Sequence, residues 1–73
     1  MAIRWNETVS LNWAERGKVY GQSMAIGEAV DLFATFSDDK KRRSEIFLLE
    51  PIEIAPGETI LLPDQIEQLI ILR

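Results

Sequence analysis

The stretch MAIGEAVDLFATF, residues 24–36, decides the fold, because it reads in two ways. Ile26, Val30, Phe33 and Phe36 fall at helical spacing. Val30, Leu32, Ala34 and Phe36 instead alternate with Asp31, Thr35 and Ser37, the period of a strand with one covered face. The β-branched and aromatic content, and a turn signal directly after it, favour the strand. A helix across Met24–Phe36 is the competing reading, and the fold expectation keeps room for a short helix or loop at residues 23–29.

The turn signal is FSDDKKRRSE, residues 36–45, in which two acids are followed by four bases. Asp38 and Asp39 bond local backbone readily and suit a turn. The run therefore reads as a solvated hairpin tip or short loop between antiparallel strands, with bases that discourage edge-to-edge pairing. The alternative is a polyanion contact through Lys40, Lys41, Arg42 and Arg43. The chain carries net charge −4 with a pI of about 4.6, so phosphate backbones repel it as a whole. No aromatic platform for stacking bases flanks the cluster. The expectation therefore favours the solvated turn over a nucleic-acid partner.

Upstream, Ile3, Trp5, Val9, Leu11 and Trp13 occupy odd positions, and Arg4, Asn6, Thr8, Ser10 and Asn12 fill the even ones. This alternation predicts a half-buried strand, with Glu7 marking a bulge or a join. A turn follows at Arg16–Gly17, then a short strand around Lys18–Tyr20 and a loop to Gly27. On one extended strand Trp5 and Trp13 would stand roughly 26 Å apart, long for a domain of this size. Residues 1–13 are thus a candidate arm that adds a strand to a neighbouring sheet.

Downstream, Ile46, Leu48, Ile52 and Ile54 share one parity, and Pro51 implies an edge or a break. APGE, residues 55–58, reads as a β-turn with Gly57 at positive φ. TILLP reads as a further strand stopped by Pro63. In DQIEQLIILR a helix from Asp64 would align Ile66, Leu69 and Ile70. The run Leu69–Leu72 and the short length favour a strand covered on both faces, the second face supplied by loops or by another subunit.

About six short strands with regularly spaced turns predict an all-β fold, a small antiparallel sandwich or barrel, in one domain spanning residues 1–73. With 73 residues its core is thin, and with neither Cys nor His it has no disulfide and none of the common zinc sites. Nucleophile arrangements that depend on histidine are likewise excluded. RGKV, residues 16–19, lacks the glycine and hydroxyl of a phosphate loop, and Asp38–Asp39 lacks the spacing of a calcium loop. The expectations are no enzyme and no cofactor. No apolar run spans a bilayer and no secretory leader opens the chain, so the expected location is the cytoplasm or a virion, without a membrane partner.

IEIAPGETILLPDQIEQLIIL, about a third of the chain, resembles the closing half of small immunoglobulin-like sandwich modules. In size, composition and expected β architecture the chain also resembles bacteriophage capsid decoration proteins. The resemblance implies a structural subunit on a capsid, gripping its neighbour with an N-terminal arm. The expected function is a non-catalytic interaction subunit of a larger protein assembly, bound to a protein partner or to copies of itself. Its candidate partner-binding residues are Ile3, Trp5, Trp13, Leu69, Ile70, Ile71 and Leu72. The alternatives are a small regulator or inhibitor of one protein partner, and nucleic-acid binding through residues 40–43.

Overall fold

The computed structural model describes residues 4–49 and 57–73. Its strands are β1 (Thr8–Glu15), β2 (Lys18–Ala25), β3 (Ser44–Phe47) and β4 (Ile60–Leu61). Helices α1 (Ile26–Ala34) and α2 (Asp38–Arg42) lie between β2 and β3, and α3 (Pro63–Leu72) follows β4. The four strands form one antiparallel sheet in the order β2-β1-β3-β4. The fold is therefore mixed α/β, and the expectation of an all-β sandwich or barrel is corrected.

The first hairpin follows its turn chemistry. Arg16 and Gly17 both take positive φ, 52° and 76°, as a two-residue type I′ turn requires. The ladder then runs without interruption from Glu15↔Lys18 to Thr8↔Ala25. The second strand is thus longer than its sequence pattern implies, and it replaces the expected loop to Gly27.

Chain direction changes at Ala25, where β2 ends, and α1 begins at the next residue. Ile26, Ala29, Val30 and Phe33 are all buried, at helical spacing. A strand would have placed Val30 and Phe33 on opposite faces. Only a helix buries Ile26, Val30 and Phe33 together, so the strand expectation for this segment is overturned.

The charged run is also not a hairpin tip. Ser37 caps a five-residue helix, its Oγ accepting from the Lys40 N–H at 3.3 Å. Asp38 and Asp39 fill the first turn, and Lys40, Lys41 and Arg42 the last. Acids at a helix N-terminus and bases at its C-terminus oppose the partial charges of the backbone ends. That polarity accounts for the order of the acids and bases.

The C-terminal strand is corrected to a helix. Pro63 takes the first turn of α3, where its missing N–H costs nothing, and Gln65 Oε1 accepts from the Leu62 N–H at 2.9 Å. Ile66 and Leu69 are buried and Ile70 is half-buried, whereas Ile71 is 84% exposed. The aliphatic run is distributed around a helix, so no second subunit is needed to cover it as a strand. Of the strand predicted over 46–54, Ile46 and Phe47 lie in β3, Leu48 and Leu49 follow it outside any strand, and residues 50–54, with Pro51, lie outside the described residues. Gly57 has φ +80°, as the turn reading requires, and Ala55 and Pro56 lie outside the described residues.

One cluster forms the core. Val9 and Leu11 of β1, Ile46 of β3 and Leu61 of β4 meet Ile26, Ala29, Val30 and Phe33 of α1 and Ile66 and Leu69 of α3. Both longer helices therefore pack on the same face of the sheet. Ser44 is the buried polar residue in this layer, and its Oγ donates to the Lys40 carbonyl at 2.7 Å. That bond ties the start of β3 to α2 and offsets the cost of burying a hydroxyl.

Candidate interaction surface on the outer strand and open sheet face

The period of two divides β2 between the faces of the sheet. Its pairing with β1 puts Lys18, Tyr20, Gln22 and Met24 on the helix side, and Val19, Gly21, Ser23 and Ala25 on the other. Yet every residue from Lys18 to Ser23 is exposed, on both sides. The helices cover β1 and β3 and leave this strand overhanging the core.

Hydrogen-bond parity identifies the free edge. In a two-residue hairpin the closing pair, Glu15 and Lys18, exchanges hydrogen bonds, and alternate pairs repeat the pattern. The Ile26 N–H donates to the Glu7 carbonyl at 2.8 Å, in phase with that ladder. Tyr20, Gln22 and Met24 therefore bond inward to β1. The N–H and C=O groups of Val19, Gly21 and Ser23 point away from the sheet, and among the described residues no strand pairs with them. The edge also lacks the usual protection against further pairing. From Val19 to Ala25 it has no charge, no proline and no bulge.

The sheet face opposite the helices continues this surface. Thr8, Ser10, Asn12 and Ala14 of β1, and Glu45 and Phe47 of β3, line it with Ile60 of β4, and none is buried. Small side chains occupy its centre, where Ser10 Oγ donates to Asn12 Oδ1 at 3.2 Å. Asn12 Oδ1 lies against Gly21, so a methyl group at that position would displace the amide. Val19, Phe47 and Ile60 supply the exposed apolar area around this flat centre.

Trp13, a predicted partner residue, is half-buried on the helix side at the hairpin end of β1. It stacks on Tyr20 with ring centroids 5.9 Å apart and meets Phe36 edge-on at 5.8 Å. Lys40 Nζ lies 4.1 Å from the Phe36 centroid and 5.2 Å from that of Trp13. This cluster anchors the overhanging hairpin to α2.

Trp5 lies in a turn before β1, where Glu7 N–H donates to the Arg4 carbonyl, rather than on the same strand as Trp13. Its carbonyl accepts from the Gly27 N–H at 2.8 Å, and the Arg73 guanidinium lies 5.2 Å from its ring centroid. Residues 8–13 of the expected arm belong to β1, between β2 and β3. Leu69 lies in the core, Ile70 packs against it, and Ile71 and Leu72 are exposed on α3. Ile3 is outside the described residues. Trp5 and Trp13 thus occupy opposite ends of β1, and the predicted set does not converge on one surface.

The four bases of the predicted polyanion contact all belong to α2 or its C-cap. Lys41 Nζ is 3.4 Å from Glu67 Oε1, Arg43 is 3.1 Å from Asp39, and Lys40 is 4.0 Å from Glu15. The adjoining cleft is lined by Asp38, Asp64 and Glu67 as well as by Lys41 and Arg42, so its acids outnumber its bases. The exposed β2 edge was missed in the sequence. Its signal was the uncharged run VYGQSMA, residues 19–25, directly after a strong turn.

An ion pair braces the opposite end of the molecule. Arg73 Nε and Nη2 donate to the two carboxylate oxygens of Asp31 at 2.9 and 3.0 Å. A methyl group on Gly27 would come within 3.0 Å of the Arg73 guanidinium carbon, so glycine there leaves room for it. Hydrogen bonding from Arg73 holds the Asp31 carboxyl below its ordinary range, outweighing partial desolvation, and raises the Arg73 value in turn. A carboxyl lowered on folding adds stability above its unfolded pKa of about 3.9, and loses it as pH falls through the folded value. A carboxyl-carbon NMR titration is expected to place the Asp31 midpoint below that of an unfolded aspartate. Arg73→Gln is expected to return it to the ordinary range; an unchanged midpoint in that variant would contradict the pairing.

Compared with family models, with curated proteins and with solved structures, the chain has no match.

Proposed function

We propose that this chain is a non-catalytic interaction subunit, which joins another protein surface through the outer edge of β2 and the adjoining sheet face. One observation carries the reading: six consecutive residues of β2, Lys18–Ser23, are exposed on both faces of a strand whose outer edge is open among the described residues. An added strand would satisfy the outward backbone groups, and its alternate side chains would contact the face around Val19 and Ser23. The narrower expectation of a virion decoration subunit drew on an all-β architecture, which this chain does not have; what supports the broader reading is the β2 surface. The basic cluster gives the nucleic-acid alternative little support, because Lys40, Lys41 and Arg43 are already engaged by acids of the same chain.

The test is covalent footprinting of the chain in extract of its source cells, against the purified chain at high dilution. Labelling of Val19 and Tyr20 is expected to fall in the extract, while labelling of Ile71 stays constant. Equal labelling at all three positions, or a loss confined to Ile71, would overturn the proposal.

A further inference from the structure

We infer that the occupant of the β2 edge is a second copy of this chain, paired antiparallel across a twofold axis at Gln22 to form a continuous eight-stranded sheet. The inference rests on the functional reading above and names its partner. The outward N–H groups are those of Val19, Gly21, Ser23 and Ala25, a stretch centred on Gln22, while the Ala25 carbonyl is taken up as the N-cap acceptor of α1. Pairing about that centre uses the whole stretch: Gly21 faces Ser23 of the second copy, and Val19 faces its Ala25. The Gly21–Ser23 pairs can exchange both hydrogen bonds of an antiparallel ladder, and each Val19–Ala25 pair adds one, from the Ala25 N–H to the Val19 carbonyl.

The side chains complement one another in the same register. Gln22 meets Gln22 of the second copy, and an amide carries both a donor and an acceptor, so two of them pair across an axis. Tyr20 lies opposite Met24, an aromatic–sulfur contact. Lys18 of one copy lies opposite Ile26 of the other, the first residue of α1, whose first turn carries Glu28. A parallel arrangement would set Lys18 beside Lys18 and Glu28 beside Glu28. In the antiparallel one no like charges face each other, because the strand between these ends is uncharged. Room exists along Lys18–Ser23, which stay exposed on both faces, and both copies carry their helices on the same face of the joined sheet.

Because the chain has no cysteine, single substitutions report the contact cleanly. Residues opposite each other in a pair that lacks mutual hydrogen bonds have Cβ atoms about 4.5–5.5 Å apart, close enough for a disulfide after small adjustment. Gln22→Cys is expected to cross-link into a dimer under mild oxidation, and Ile60→Cys, on the open face, is expected to stay monomeric. Sedimentation of the unmodified chain from about 1 µM to about 1 mM is expected to show a monomer–dimer equilibrium, which Ser23→Pro weakens about tenfold or more. The Ser23 N–H points outward, so proline there removes intermolecular bonds and spares the pairing with β1. If that variant fails to fold, Gln22→Lys, which opposes two ammonium groups across the axis at an exposed position, is expected to weaken the dimer in the same way.

Cross-linking through Ile60→Cys but not Gln22→Cys would mean face-to-face association and would overturn the inference. A monomer at every concentration would also overturn it; the interaction reading would then stand if extract footprinting still protected β2, and would fall with it if not.

Discussion

Phe33→Ala is expected to lower unfolding stability by about 3–5 kcal/mol, the cost of removing a fully buried aromatic side chain. Domains have only about 5–15 kcal/mol in total, and a chain of 73 residues belongs at the lower end. The variant should therefore be largely unfolded or shifted far down in urea midpoint. Phe33 lies between α1 and the sheet, next to Val30 and 6.1 Å from the Phe36 ring, and Lys41 Nζ rests 5.5 Å from its centroid. The alternating strand pattern of Val30, Leu32, Ala34 and Phe36 would have turned Phe33 outward. A loss within about 0.5 kcal/mol, as at an unconstrained surface position, would contradict the helix. Urea unfolding followed by circular dichroism measures the difference.

The second large effect is a contrast between neighbours. Leu69→Ala is expected to cost about 2–5 kcal/mol, whereas Ile71→Ala should stay within about 0.5 kcal/mol. Leu69 is fully buried and Ile71 is 84% exposed, although they lie only two positions apart. In a strand, residues two apart share a face and would lose similar amounts. The ratio therefore distinguishes α3 from the strand suggested by its aliphatic run, and parallel denaturation curves of the two variants measure it.

Those two segments show where local pattern fails. Ile26, Val30, Phe33 and Ile66, Leu69, Ile70 carried the helical period in plain view. β-branched content argued for strands in both, and tertiary burial overrode it. In segments of about ten residues, two periods often fit the same few apolar side chains. What decides between them is the neighbouring geometry: the hairpin ladder ends at Ala25, and Pro63 opens a helix as readily as it stops a strand. Turn chemistry was more legible. Arg16–Gly17 forms a tight turn, and the alternation through Val9, Leu11 and Trp13 belongs to a strand.

The proposed interaction surface was hard to read for a different reason. Large apolar residues drew attention to Trp5, Trp13 and the Leu69–Leu72 run, which the fold uses partly or wholly for its own packing. The surface left open is built from backbone groups and small side chains, such as Ser10, Gly21 and Ser23. Their importance comes from lying at an edge, and position in a sheet is a property of topology that no local spacing reports. Ser44 is similar: its hydroxyl matters because a particular carbonyl, that of Lys40, lies beside it.

Residue-resolved amide hydrogen exchange on the dilute chain tests the open β2 edge most directly. The account requires alternation: slow exchange at Tyr20, Gln22 and Met24, which bond to β1, and fast exchange at Val19, Gly21 and Ser23, which face outward. Uniform protection from Val19 to Met24 in the isolated monomer would mean that the edge is already covered, and would contradict the account.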